Sequence, residues 1–130
     1  RFAGLNRTTF DVTVNGKDKK FEGKGYRGFL NSIFAFVLMR YLDECGKHAP
    51  RMLILDSPIL SLKESKQEGV AEGMKSSMLS YMLDQCGNCQ VIIVENEIPD
   101  DVDFSAANLI EFTKNGSIGR YGFLLDQLIL

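Results

Sequence analysis

The chain has 130 residues, 45% hydrophobic and 25% charged, which is enough for one packed domain and too short for two. Its formal net charge of -2 gives no global attraction to nucleic acid or to an anionic membrane surface. No apolar run reaches the length of about 18 residues that a membrane span requires, and the N-terminus carries no basic-then-apolar leader, so the sequence reads as cytoplasmic.

Residues 9–22, T-F-D-V-T-V-N-G-K-D-K-K-F-E, alternate apolar and polar residues around Asn15-Gly16. Both turn residues tolerate positive φ, so this stretch predicts a β-hairpin. From Phe29 to Cys45 the apolar residues nearly surround a helical circumference, and Gly46 offers a C-cap, which predicts a largely buried helix. Residues 52–56, M-L-I-L-D, are a short apolar run closed by a carboxylate, the pattern of a parallel strand buried on both faces. A second helix is predicted over Lys66 to Cys86, with Val70, Met74, Met78, Tyr81 and Met82 as its core stripe. Residues 91–95, V-I-I-V-E, predict a second buried strand before the polar loop N-E-I-P-D-D. Residues 108–114 and 120–125, flanking N-G-S-I-G, predict a closing antiparallel pair in which Arg120 is an exposed charge.

This order predicts a single α/β domain over residues 1–130: a mixed sheet with parallel core strands flanked by helices, and a β-hairpin at each end. The first residue is Arg1 rather than Met, so the chain is expected to belong to a longer polypeptide.

Gly23-Lys-Gly-Tyr-Arg-Gly28 spells the G-x-G-x-x-G of dinucleotide-binding folds. That glycine turn must follow a strand buried at the sheet centre. Here K-D-K-K-F-E precedes it, and lysines at that density cannot be covered on both faces without a large desolvation cost, which weighs against the dinucleotide reading. What survives is an anion site: amides opening a helix, assisted by Lys24 and Arg27. The competing reading of Gly23, Gly25 and Gly28 is a connection that needs positive φ.

Three cysteines fit a reducing compartment better than a disulfide framework. Cys86-Gly-Asn-Cys89 has redox spacing, but its place at a helix end is wrong for dipole activation of a thiol. Cys86 and Cys89 are also paired by position with Cys45 and His48, since both segments close a helix before an apolar strand. Together they form a candidate Cys3His zinc site, against the plainer reading of helix-end cysteines and a surface histidine.

The segments G-K-G-Y-R-G-F-L-N, M-L-I-L-D-S-P and V-I-I-V-E-N-E-I-P, in that order and spacing, resemble the C-terminal half of an ABC-type ATPase head. The likeness is to the SMC and RecF-like branch, among uncharacterised bacterial and phage-type members whose Walker B strand ends D-S-P. The resemblance implies the C-terminal lobe of a P-loop NTPase, with Gly23, Lys24, Gly25, Tyr26, Arg27 and Gly28 as the signature region contacting nucleotide. It also implies that Asp56 orients Mg2+ and its water, and that Ser57 begins the D-loop at the nucleotide. Glu95-Asn96-Glu97 falls where such heads lead to a switch histidine, so Glu95 and Glu97 are candidates to replace the missing catalytic carboxylate.

The implied cofactors are ATP and Mg2+. The implied partners are an N-terminal Walker A lobe and a second head in a homodimer, with DNA or phage defence as the setting and no membrane. The chain departs from the family in having no Ser ahead of Gly-Gly in the signature, and Ser57 where a Glu usually follows the Walker B Asp. No G-x-x-x-x-G-K-[ST] occurs, so the chain alone is expected not to hydrolyse ATP. For Asp56 the competing reading is a strand-end carboxylate capping the next turn. For the whole chain it is a non-catalytic α/β interaction domain, stapled by zinc.

Overall fold

The computed structural model describes residues 2–58 and 68–122, with side chains on the second stretch from Gly73 onward. Three short strands open the chain: β1 (Ala3–Asn6), β2 (Asp11–Val14) and β3 (Lys17–Asp18), antiparallel and in that spatial order. The hairpin turn falls at Asn15-Gly16, with φ of 50° and 77°, the two positive values that a tight turn matched to strand twist requires. Asn15 also accepts a hydrogen bond from the Phe2 amide through its Oδ1 at 3.0 Å, which draws in β1, a strand not expected from the sequence. Lys19 then ties this sheet to the first helix. Its Nζ lies 2.6 Å from Asp11 and donates to Asn31 Oδ1 at 2.5 Å.

Helix α1 spans Lys24–Cys45 with Gly23 as N-cap, five residues earlier than the apolar pattern predicted. The glycine-rich stretch is therefore the cap and opening turns of the helix rather than a loop before it. Glycine inside a helix costs about 1 kcal/mol relative to alanine, which is why Gly25 and Gly28 argued against helix at the sequence level.

After α1 come β4 (Met52–Asp56), α2 (Glu68–Gln85) and β5 (Gln90–Val94). β4 and β5 pair in parallel, from Met52 opposite Gln90 to Asp56 opposite Val94. Both helices contribute to a core on one side of this pair. Phe36 and Met39 of α1 meet Met78, Leu79 and Met82 of α2 over Leu53, Leu55, Val91 and Ile93, with Cys89 and Val102 at the margin. Phe36 has no exposed surface, and its ring meets Tyr81 edge-on at 5.8 Å.

Three expectations are corrected. The described strands form two separate sheets, one antiparallel and one parallel, not one mixed sheet. Among the described residues the parallel pair is covered on one face only: Met52, Ile54, Ile92 and Val94 on the other face are 51%, 61%, 39% and 53% exposed. The alternation in each strand is what an uncovered face produces, although all-apolar runs normally signal cover on both. The closing antiparallel pair is reduced, among the described residues, to one bridge of parallel type between Phe112 and Arg120. Thr113 and Lys114 donate their amides to the carbonyls of Arg120 and Tyr121 at 2.9 and 3.1 Å. Residues 123–125 of that pair, and the predicted start of the second helix at Lys66, lie outside the described residues.

Candidate functional site at the carboxyl edge of the parallel strands

β4 ends in Asp56, whose carboxylate is exposed. Ser57 then turns the chain with φ of 45°, a left-handed conformation that costs a non-glycine residue about 1 kcal/mol or more. The turn is held by β5, because the Ser57 amide donates to the Val94 carbonyl at 2.8 Å. The Ser57 hydroxyl donates to Asp56 Oδ1 at 3.2 Å, so the two residues form one polar unit. Pro58 is buried immediately behind them.

The opening of α1 lies beside this unit. A Cβ placed on Gly28 would stand 3.6 Å from the Pro58 carbonyl oxygen, an ordinary contact distance, so the first turns of the helix run beside the D-S-P turn. The first intrahelical bond is given by the Arg27 amide to the Gly23 carbonyl at 3.0 Å. The amides of Lys24, Gly25 and Tyr26 precede it and have no carbonyl four residues back within the helix. No side chain caps them and the first turn holds no acid, which leaves the positive end of the helix uncompensated. Lys24 and Arg27 are exposed there, whereas the Tyr26 ring stacks on Phe29 at 5.9 Å and packs against the core.

Glu95 takes a different direction. Alternation along β5 puts Ile92 and Val94 on the open face and Ile93 on the helix face, and Glu95 continues the helix side. Its side chain is 8% exposed and meets Lys75 of α2, itself 11% exposed, with Nζ 3.8 Å from Oε2. Lys75 Nζ also donates to the backbone carbonyl of Glu97, while the Glu97 residue as a whole is exposed. Asp56 and Ser57 are thus brought together, and Glu95 is directed to the opposite face of the same edge. Lys75 is the site residue that sequence reasoning missed. The signal was present: Lys75, Met78, Leu79 and Met82 fall at i, i+3, i+4 and i+7, so the lysine sits on the apolar stripe.

The zinc candidates do not assemble. Cys45 and His48 are exposed, and the Cys86 thiol donates to the Cys89 carbonyl at 2.7 Å. Among the described residues no three His, Cys, Asp or Glu side chains gather as metal ligands. Arg120 is exposed, as expected, with its guanidinium 5.7 Å from the centre of the Phe112 ring.

Fold and site together define an α/β chain that presents a carboxylate, a strained serine turn and an uncapped helix N-terminus along one edge. No protein-family model, curated protein or solved structure matches it. Among the described residues no helix is long and apolar enough to cross a membrane.

Proposed function

We propose that the chain is the C-terminal lobe of an SMC/RecF-like ABC-type ATPase head, which completes a nucleotide site only together with a Walker A lobe and a second head. The observation that carries this reading is the approach of the α1 opening to the Asp56-Ser57-Pro58 turn at Gly28. It brings the opening of α1, whose free amides suit an anion, near the turn that carries the Asp56 carboxylate, which suits a metal ion.

The residues present suit Mg-ATP. Mg2+ takes one or two carboxylates and fills its remaining positions with waters and phosphate oxygens, and Asp56 is an exposed carboxylate of that kind. Bound there, Mg2+ neutralises charge on the transferring phosphoryl group. Ser57 fixes the orientation of the Asp56 carboxylate through its hydroxyl. The Lys24 and Arg27 side chains and the amides of the first turn of α1 bind the phosphates presented by the opposite head. Glu95 is held by Lys75 on the face away from Asp56, which leaves Glu97 as the carboxylate proposed to act on the attacking water in a chain where Ser57 stands after Asp56. The output is a nucleotide-driven association of heads in the cytoplasm, acting on DNA or in phage defence.

A test that isolates the signature role is ATP-dependent association of the polypeptide that joins this chain to its Walker A lobe. Lys24→Glu with Arg27→Glu is expected to abolish the ATP-dependent increase in sedimentation while leaving the nucleotide-free species unchanged. An undiminished response would remove the signature assignment.

The second reading, a non-catalytic interaction domain, is favoured by one observation: the open apolar face of Met52, Ile54, Ile92 and Val94. In the ATPase reading that face belongs against the Walker A lobe. The zinc staple once joined to the second reading has no support from the positions of Cys45, His48, Cys86 and Cys89.

A further inference from the structure

Lys75 reaches out of the apolar stripe of α2 to two residues of the loop after β5, the Glu95 carboxylate and the Glu97 carbonyl. Asn96, between them, is exposed. The second oxygen of Glu95, Oε1, is buried and has no hydrogen-bond partner among the described residues. A buried charge pair offsets its desolvation only when the remaining lone pairs are also satisfied, and an orphaned acceptor costs about 1–3 kcal/mol. An acceptor in such a place is ordinarily completed by a bound water.

We infer that Lys75 is a positioning residue, stapling Glu95 and Glu97 to α2 so that Glu97 and the intervening Asn96 are held at the carboxyl edge. That the edge so held serves a nucleotide rests on the ATPase reading. The staple does not. It follows from where Lys75, Glu95 and Glu97 lie, and it explains a lysine placed among Met78, Leu79 and Met82.

Two measurements test the inference separately from the reading it deepens. The first uses the 130-residue chain and follows the backbone order of residues 95–98 by NMR relaxation. Lys75→Met strands a buried carboxylate and can unfold the chain, so it is paired with the double variant Lys75→Met/Glu95→Leu, which removes both charges. The double variant is expected to lower the order parameters over 96–98 to below about 0.6, with 52–56 unchanged, and Lys75→Arg to stay near wild type. Wild-type order over 95–98 in the double variant would overturn the staple.

The second uses the polypeptide joined to its Walker A lobe. Lys75→Gln is expected to lower kcat about 10- to 100-fold, with KM for Mg-ATP within about twofold and recovery in Lys75→Arg. An inactive Asp56→Asn beside a fully active Lys75→Gln would sink the positioning role alone. Full activity in both would instead sink the assignment of Asp56 as the Walker B carboxylate and leave the first measurement to decide the staple.

Discussion

Arg40 of α1 packs on Gly87, just past the end of α2, so closely that a Cβ there would stand 2.6 Å from Nη1. The same guanidinium donates to the Cys86 carbonyl at 3.4 Å and pairs with Glu44 at 2.9 Å and Asp43 at 3.6 Å. Asp43 in turn holds Arg51 at 2.6 Å, beside the start of β4. One cation therefore links the C-terminal ends of both helices. Gly87 also has φ of 59°, which a Cβ penalises. Gly87→Ala is expected to cost about 1–2 kcal/mol by urea unfolding, with Arg40 shifting to relieve the contact. Gly87→Asn, whose residue tolerates this backbone, should cost less.

The uncovered sheet face makes a parity prediction within β4. Ile54→Ser, on the open face, is expected to change stability by no more than about 0.5 kcal/mol. Leu55→Ala, one residue on and packed toward the helices, should cost about 2–3 kcal/mol. Equal costs at both positions would mean that the open face is covered in solution.

Phe36 is the largest side chain with no exposed surface. Phe36→Ala is expected to cost about 3–5 kcal/mol, a large share of the roughly 5–15 kcal/mol that holds a domain folded, read as a lowered urea midpoint by circular dichroism.

Two aspartates of the N-terminal sheet respond to acid. The Lys19 side-chain hydrogen bond, then the Val12 amide, lower the pKa of Asp11 below its ordinary value, and hydrogen bonds from Asn6 and then Lys20 do the same for Asp18. A group whose folded pKa is depressed adds stability above its unfolded pKa, and loses it as pH falls through the folded value. The sheet is therefore expected to loosen as pH drops from about 4, the ordinary aspartate value. Faster exchange of the Val12 and Thr13 amides below that pH, abolished as a pH effect in Asp11→Asn/Asp18→Asn, is the signature to measure. Because both carboxylates are only partly buried, added salt should weaken the response.

Much of the fold was legible because its signals are local. Asn15-Gly16 specifies its turn, and Met52–Asp56 and Gln90–Val94 specify strands within one residue of the expected limits. The start of α1 was not legible, since Gly25 and Gly28 oppose helix locally while the packing of Tyr26 and Phe29 overrides them. The single covered face of the parallel pair was hidden for a related reason: periodicity reports which residues are apolar, not what lies against them. At the site, strand-end position marked Asp56. The direction of Glu95 depended on Lys75, a residue whose place on the apolar stripe is visible only when the lysine is counted as part of the stripe.

The most direct test of the account is steady-state Mg-ATP hydrolysis by Asp56→Asn in the polypeptide that joins this chain to its Walker A lobe, with nucleotide binding measured alongside. The account predicts a loss of kcat of about 100-fold or more while ATP is still bound, because a Mg2+ ligand acts on the transferring phosphoryl group. Turnover equal to wild type would contradict it.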